Sequence, residues 1–320
     1  MSARKPGSAP VAAAVRCGPR PVYTLAPLSR KGVCAATAGE DDTGMYGLEG
    51  KVAIITGAGR RHGLGEAIAR RLLAEGCRVA ISDLGTPGPL MEAQRIGTHA
   101  ELQALAEDMR AAGGQVLALE LDVRDEGQID AAVAATVEQF GRLDVLVNNA
   151  GIGYLMQPLL ETSRESWRAV LDVNLTGAFL CTRAAAAQMV RQGDGGRIIN
   201  IASQAAKSGH RHLAAYTASK HGLIGLTRTA AVELGEHRIT VNAICPNHVT
   251  TGLGAEQNEY FARLRGLSVD EYLRQMRSRI PLGRVGLAGD TAAACAFLCS
   301  DEAAYITGEA MNVSGGVEMH

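Results

Sequence analysis

Tyr216 and Lys220 stand four residues apart, thirteen positions after Ser203, and this spacing suits proton transfer at an oxygen atom. On a helix, residues i and i+4 share a face, so the lysine ammonium would lie beside the phenol. A neighbouring positive charge favours the phenolate, which brings a hydroxyl with a reference pKa of about 10 closer to neutral pH. Such a group can exchange a proton when an alcohol and a carbonyl compound interconvert. Taken alone, the pair is more typical of a solvated helix on which the tyrosine packs and the lysine reaches water.

A glycine-rich segment from Gly57 to Gly65 lies between an apolar, β-branched stretch at 51–56 and an amphipathic helical pattern. Glycine lets the chain turn sharply and lets a ligand approach the backbone, and the N–H groups at a helix start attract phosphate. A strand, a glycine loop and a helix in this order predict a dinucleotide-binding site.

The choice of dinucleotide depends on charges near this loop. The next predicted strand, 78–83, ends in Asp83, 20 residues after Gly63. A carboxylate at this position accepts hydrogen bonds from an adenosine ribose and repels a 2′-phosphate, which favours NAD. Arg60 and Arg61 favour NADP, because a basic residue in this loop can neutralise that phosphate. We predict that NAD is preferred and keep NADP as the alternative.

From Leu48 to His320, the order and spacing of several motifs resemble the short-chain dehydrogenase/reductase family. They include Asn148-Asn-Ala-Gly151, the segment around Asn174 and the segment Val241 to Pro246. The resemblance implies a catalytic tetrad of Asn174, Ser203, Tyr216 and Lys220. It also implies that the cofactor contacts Gly57, Arg60, Gly63, Leu64, Gly65, Asp83, Asp122, Val123, Asn149, Ala150, Gly151, Tyr216, Lys220, Pro246, Val249 and Thr251.

The roles of the tetrad follow from hydride chemistry together with this resemblance. Tyr216 would be the acid in reduction and the base in oxidation, while Ser203 would hydrogen-bond the substrate oxygen. Lys220 would lower the pKa of Tyr216 and hold the nicotinamide ribose. The resemblance further implies that Asn174 bends its helix and holds a water that links Lys220 to solvent. Asn247 stands where the family usually has glycine, and asparagine tolerates the positive φ that such a turn would require.

The fold prediction is a single α/β domain over residues 46–320. Aliphatic stretches alternate with Ala- and Leu-rich helical patterns, which predicts a doubly wound, Rossmann-type domain with a seven-stranded parallel sheet and helices on both faces. The predicted strands are 51–56, 78–83, 115–121, 143–148, 196–202, 239–245 and 309–313. Residues 1–45 carry five prolines and no acidic residue before Glu40, so we expect a disordered extension. This extension is either a transit-like segment or sequence translated upstream of a true start at Met45.

Substrate identity is less directly encoded than the reaction. Residues 247–284 contain two helical patterns where the family places a mobile substrate lid. Polar residues predicted at the pocket mouth, Lys207, Ser208, His212, Asn247 and His248, favour a small polar polyol or hydroxyketone. The alternative substrate is a 3-oxoacyl thioester reduced with NADPH. An alternative of another class is a non-catalytic, dinucleotide-binding sensor, which would not need the tetrad.

Composition excludes several other functions. A net charge of −1 gives no reason to expect nucleic acid or an anionic membrane as a partner, and no apolar run reaches the roughly 20 residues of a membrane span. Seven cysteines without paired spacing suit a reducing compartment and predict no metal site. The cluster His210-Arg-His212 is interpreted as a polar loop at the pocket mouth. We expect a cytoplasmic protein, or an organellar one if residues 1–44 are a transit peptide. The family resemblance implies a homotetramer formed through helices around 164–192 and 214–235 and the C-terminal segment.

Overall fold

The computed structural model describes residues 46–85, 97–153, 156–249 and 251–320. Seven parallel strands form one sheet in the order β3-β2-β1-β4-β5-β6-β7. The strands are β1 (Val52–Ile55), β2 (Arg78–Asp83), β3 (Val116–Glu120), β4 (Val145–Asn148), β5 (Gly196–Ile201), β6 (Ile239–Pro246) and β7 (Ala310–Val313). The predicted α/β fold with seven parallel strands is confirmed, and the strand ends differ from the prediction by at most two residues. The prediction for residues 1–45 lies outside the described residues.

The helices described between and after the strands cover both faces of the sheet. They are α1 (Leu64–Ala74), α2 (His99–Ala111), α3 (Glu126–Phe140), α4 (Arg164–Leu171), α5 (Ala178–Gln192), α6 (Ala214–Leu234), α7 (Gly252–Leu264), α8 (Val269–Arg277) and α9 (Ala288–Cys299). Successive side chains of a strand point to opposite faces. In β1, Ala53 and Ile55 therefore pack with α1, α2 and α9, whereas Ile54 packs with α3, α4, α5 and α6. The sheet is thus buried on both faces, as its continuous apolar strands require.

The crevice for a ligand opens where the strand order reverses, between β1 and β4. Two loops that follow these strands are bonded across it. The Thr56 Oγ1 accepts hydrogen bonds from the N–H groups of Asn149 at 3.1 Å and Ala150 at 3.0 Å. The Asn149 Nδ2 donates to the carbonyl oxygens of Thr56 and Gly57 at 2.9 and 2.8 Å. These bonds hold the glycine loop against the end of β4.

The segment predicted as a substrate lid contains α7 and α8, each beginning at a capping hydroxyl. The Thr251 Oγ1 accepts from the N–H of Gly254, and the Ser268 Oγ accepts from the N–H of Glu271. In the described ranges, no helix is long and apolar enough to cross a membrane.

Candidate active site

A groove follows the carboxyl ends of the strands on both sides of the β1/β4 crevice. Most residues predicted to contact the cofactor line it: Gly57, Arg60, Gly63, Leu64, Asp83, Asp122, Val123, Asn149, Ala150, Gly151, Tyr216, Lys220 and Thr251. The other three lie elsewhere. Pro246 and Val249 line an adjoining cavity. Gly65 packs beneath the groove, where an added Cβ would lie 2.7 Å from the Cα of Ala58 and 2.8 Å from the amide nitrogen of Asn149.

The glycine loop has the shape and the open N–H groups that a pyrophosphate needs. Gly57 adopts φ +65°, and a Cβ there would lie 2.6 Å from the Cα of Ala150. Gly63 is the N-cap residue of α1 and offers no side chain to bond the first-turn N–H groups. Those groups carry the positive end of the helix dipole and face the groove next to Gly63 and Leu64. The residues present therefore fit a dinucleotide.

Asp83 is buried at the end of β2, with both carboxylate oxygens already bonded to the backbone. Its Oδ2 accepts from the N–H of Gly59 and its Oδ1 from the N–H of Leu84, each at 2.9 Å. Burial raises the pKa of Asp83, and these two hydrogen bonds and the charge of Arg60 oppose that rise. Of the two loop arginines, Arg60 lines the groove, whereas Arg61 pairs with Asp108 of α2 at 2.6 Å. Only Arg60 of this pair is placed to meet a phosphate in the groove.

Eight described residues that line the groove are absent from the predicted cofactor contacts, and Gly97 and Arg124 are two of them. Gly97 packs against Gly59 and the carboxylate of Asp83. Arg124 lines the groove and binds Asp122 with two nitrogens, Nε at 2.9 Å and Nη2 at 2.6 Å. This ion pair lowers the pKa of Asp122 against the opposing effect of burial. The arginine two positions after Asp122 was the available signal.

A second cavity, of about 510 Å³, adjoins the groove and lies under the predicted lid. Ser203 and Tyr216 both line it, and Tyr216 lines the groove as well. Ser203 follows β5 in an extended conformation, and its Oγ accepts a hydrogen bond from the N–H of Ala205 at 3.1 Å. Tyr216 lies in the first turn of α6. The phenol therefore lies where a dinucleotide in the groove and a second molecule in the cavity would meet.

Lys220 lies one turn after Tyr216 on α6 and is buried, with 5% of its surface exposed. Its Nζ donates to the carbonyl oxygen of Ile201 at 2.8 Å and lies 5.6 Å from the centroid of the Tyr216 ring. Burial lowers the pKa of Lys220 to about 8, since the ammonium has lost its hydration, and the nearby Cys245 thiol slightly opposes this change. The two side chains thus share a helix face, as their spacing predicts.

Asn174 lies in a π-helical turn, Asp172–Gly177, between α4 and α5. Its amide bonds the backbone of Ile152 twice, accepting from the N–H and donating to the carbonyl oxygen, each at 2.9 Å. The Nδ2 also donates to the Ser219 Oγ at 3.2 Å. The predicted bend is present as this wide turn, and it ties the loop after β4 to α6 beside Lys220.

The prediction of which polar residues line the cavity is partly wrong. Asn247 and His248 line the cavity, but the Lys207 ammonium points away and bonds the carbonyl oxygens of Ala310 at 3.0 Å and His320 at 2.6 Å. The Ser208 hydroxyl donates to Glu318. His212 lies outside the lining because its Nδ1 bonds the hydroxyl of Tyr260 at 2.8 Å.

Other residues of the same loop face the cavity instead. His210 and Arg211 line it, in agreement with a polar loop at the mouth. Asn247 does not need the positive φ that its place in the sequence suggested. Among described residues other than glycine, only His62, His212 and Arg238 adopt one. The described residues contain no group of three His, Cys, Asp or Glu side chains that could hold a metal ion.

The chain is similar over most of its length to named proteins. A family model described as enoyl-(acyl carrier protein) reductase matches residues 57–318. A short-chain dehydrogenase/reductase of Armillaria gallica is 39% identical over 269 residues, covering 84% of this chain and 96% of that protein. The sorbitol dehydrogenase of Cereibacter sphaeroides is 38% identical, and a 3-oxoacyl-[acyl-carrier-protein] reductase of Staphylococcus aureus is 39% identical. Each of these two alignments covers 84% of this chain and 98% of the relative.

Two solved structures of named enzymes are similar to this chain in both fold and sequence. Carveol dehydrogenase from Mycobacterium avium, in complex with NAD, has a TM-score of 0.78 and is 33% identical. An actinorhodin polyketide ketoreductase variant with NADPH has a TM-score of 0.76 and is 37% identical. Both comparisons cover 84% of this chain and 98% of the other. The first of these neighbours is therefore a complex with NAD and the second a complex with NADPH.

Proposed function

The chain belongs to the short-chain dehydrogenase/reductase family and is an enzyme acting on CH–OH groups, and we propose that Tyr216 is its proton donor and acceptor. The reaction proposed is the interconversion of a secondary alcohol and a ketone. The observation that carries it is that Tyr216 lines both the dinucleotide groove and the adjoining cavity, with the Lys220 ammonium beside its ring.

A bound nicotinamide dinucleotide would supply the hydride acceptor in oxidation and the hydride donor in reduction. Gly57, Gly63 and the open start of α1 would hold its pyrophosphate. In oxidation the Tyr216 phenolate takes the proton of the substrate hydroxyl, while a hydride leaves the carbon atom that bears this hydroxyl. In reduction the Tyr216 phenol returns a proton to the carbonyl oxygen.

The neighbours of Tyr216 support this proton transfer. The buried Lys220 ammonium favours the phenolate electrostatically, because little water screens the interaction. The Ser203 hydroxyl, which accepts from the backbone, has its own hydrogen to donate to the substrate oxygen as negative charge develops. Asn174 is a positioning residue: it holds Ile152 and the π-helical turn in place against α6.

We further propose that NAD is the preferred cofactor. Support comes from the Asp83 carboxylate in the groove, where it can accept hydrogen bonds from a ribose and would repel a 2′-phosphate. Arg60 is the residue that would favour NADP, since it lies in the same groove.

The proposed substrate is a small polar molecule that carries a secondary hydroxyl or keto group, as polyols and hydroxyketones do. Asn247, His248 and Gln204 supply polar lining next to Ser203 and support this class. The alternative is a 3-oxoacyl thioester reduced with NADPH, which the similarity to the Staphylococcus aureus reductase favours. Assays with NAD and NADP against polyols, hydroxyketones and acetoacetyl thioesters discriminate the two, because turnover of the thioester with NADPH alone would replace the first proposal.

Tyr216→Phe tests the proposed chemistry. We expect kcat to fall at least 10³-fold, since the proton donor is removed, while the Kd for NAD changes less than about threefold. Tyr305→Phe is the matched control, because Tyr305 is fully exposed and lines neither cavity. Retained turnover in Tyr216→Phe would refute the role of Tyr216. A wild-type protein that binds NAD but transfers no hydride with any secondary alcohol or ketone would favour a non-catalytic sensor.

A homotetramer formed through α4, α5, α6 and the C-terminal segment remains our proposal for the assembly. These helices expose apolar side chains: Trp167 on α4, Phe179 and Val190 on α5, and Val232 on α6. Such side chains suit a buried interface better than water. Analytical ultracentrifugation should give a mass near four chains. Val232→Glu should shift that mass downwards if α6 takes part.

A further inference from the structure

The cavity next to Tyr216 is lined by cationic side chains and, among the described residues, by no carboxylate. Arg211 comes from the loop after β5, Arg265 from the end of α7 and Arg279 from the turn after α8. Burial lowers the pKa of His210 and His248, the two histidines of the lining, so at neutral pH the positive charge comes from the arginines.

Two of these arginines converge on one side chain. The Arg265 guanidinium lies over the ring of Tyr272, 5.3 Å from its centroid. Tyr272 also lines the cavity, and the charges of Arg265 and Arg279 both oppose the rise in its pKa that burial causes. Arg265 and Arg279 therefore both act electrostatically on Tyr272, and all three residues line the part of the cavity that α7, α8 and the turn after α8 form.

Several other arginines of the described residues are already paired with a carboxylate. Arg61, Arg124, Arg142 and Arg284 each pair with an aspartate within 2.6 Å. Within the described ranges, no ion pair to a carboxylate involves Arg211, Arg265 or Arg279.

The carboxylate of Glu318 lies near His210, whose pKa it raises against the effect of burial, but it is already hydrogen-bonded to other side chains. It accepts hydrogen bonds from the Gln204 amide at 2.9 Å and the Ser208 hydroxyl at 2.7 Å. Like charges that converge in a recess repel one another, and the recess concentrates their field on whatever molecule enters. A guanidinium is also planar and presents paired donors that match a carboxylate or phosphate.

We propose that the substrate carries an anionic group, a carboxylate or a phosphate, which Arg265 and Arg279 bind while the reacting oxygen lies at Tyr216 and Ser203. Beside the polar residues already named, the lining includes the apolar side chains of Phe261, Leu264, Met276 and Ile280, which suit the carbon skeleton of such a molecule. A cavity of about 510 Å³ has room for a small metabolite but also limits its size. The inference rests on the proposed function, since it names the substrate class of the same site.

The test compares matched anionic and neutral substrates. One pair is 3-hydroxybutyrate with its methyl ester, and the other is glycerol 3-phosphate with glycerol, so that the two arms distinguish a carboxylate from a phosphate. Wild type should use at least one anionic member with a kcat/KM at least tenfold above that of its neutral partner. Arg265→Gln and Arg279→Gln should each reduce this ratio at least tenfold, mainly through KM. Higher ionic strength should lower the ratio in wild type as well, since salt screens the arginines.

Arg263→Gln and Arg274→Gln are matched controls, because these arginines are exposed, as Arg265 and Arg279 also are, and lie on α7 and α8 but do not line the cavity. Their ratios should equal that of wild type. A wild type that prefers the neutral partners, or lining variants that behave like the controls, would overturn the inference and leave the chemistry of Tyr216 intact.

A binding measurement separates failure of this inference from failure of the proposed function. Inorganic phosphate and butyrate, each titrated into the NAD-bound protein, should raise the thermal unfolding midpoint of wild type and the two controls. The rise should be lost in Arg265→Gln and Arg279→Gln. Anion binding of this kind without any turnover would refute the proposed reaction but not the anion site, whereas turnover without it would refute the anion site.

Discussion

Lys220 keeps a positive charge in the interior beside the reacting phenol, and this should make the stability of the protein depend on pH. The side chain is 5% exposed, and the described structure gives its ammonium one direct hydrogen-bond acceptor, the carbonyl oxygen of Ile201. Burial lowers its pKa from 10.5 to about 8. The charged form is therefore less stable in the folded chain than in the unfolded one.

The sign of the pH dependence follows from the protons that each state binds. Below pH 8 Lys220 is protonated in both states, and above about pH 10.5 it is neutral in both. Between these values the unfolded chain holds the proton and the folded chain has released it, so the free energy of unfolding rises with pH. A difference of about 2.5 pKa units corresponds to roughly 3 kcal/mol, of which about 2 kcal/mol should appear between pH 7 and 9.5.

Urea unfolding of the cofactor-free protein measures this effect when the protein with Lys220 is compared with Lys220→Met and Lys220→Arg at pH 7, 8 and 9.5. All three proteins carry Tyr216→Phe as a common background, because this removes the phenol whose pKa Lys220 is proposed to lower. Neither replacement of Lys220 titrates in this range, and the groups distant from Lys220 contribute equally to all three proteins. As the pH rises from 7 to 9.5, the free energy of unfolding of the protein with Lys220 should increase by about 2 kcal/mol more than that of either variant. The free energies of the two variants should change with pH by the same amount. If the difference in free energy of unfolding between the protein with Lys220 and Lys220→Met does not change with pH, burial does not lower the pKa of Lys220.

Three further substitutions test the groove and the sheet that supports it. Asp83→Asn should shift the ratio of kcat/KM for NAD over that for NADP at least tenfold towards NADP, because a charge that repels the 2′-phosphate is lost; an unchanged ratio would contradict its role in cofactor choice. Gly57→Ala should weaken NAD binding at least tenfold by calorimetry and lower the free energy of unfolding by roughly 1–3 kcal/mol, since φ is +65° and the new Cβ would lie 2.6 Å from the Cα of Ala150; near-wild-type binding would contradict this. Asn200→Ala should lower the free energy of unfolding in urea by roughly 2–4 kcal/mol, because it removes one buried acceptor of the Asn148 amide, at 2.8 Å, and leaves a cavity. A loss under about 1 kcal/mol would show that this buried hydrogen bond contributes little.

Much of the fold and part of the site could be read from the order of residues alone, because the signals are local. The strand 51–56, the glycine loop and the helical pattern after it are neighbours in sequence, and the structure keeps them as β1, a turn at Gly57 and α1. Tyr216 and Lys220 share a face for the same reason, since one helix turn separates them.

Side-chain directions at the cavity could not be predicted, because they depend on partners distant in the sequence. Lys207 was expected in the cavity wall, but the carbonyl oxygens of Ala310 and His320, more than 100 positions later, hold its ammonium elsewhere. Arg60 and Arg61 are adjacent and equivalent by type. Only the contact of Arg61 with Asp108 on α2 separates their roles.

The sequence by itself determined the reaction class, since the spacing of Ser203, Tyr216 and Lys220 and the glycine loop are local patterns that a helix and a turn preserve. Only the tertiary structure decided where charge gathers around the substrate. Arg211, Arg265 and Arg279 lie on three separate segments, and they share a cavity because α7, α8 and the residues that follow β5 and β6 line the same space. The physical reason is the sequence distance over which each interaction acts. The hydrogen bonds and periodicity of a helix involve residues a few positions apart, whereas the burial of a side chain and the grouping of charged side chains in one cavity depend on which distant segments the fold brings together.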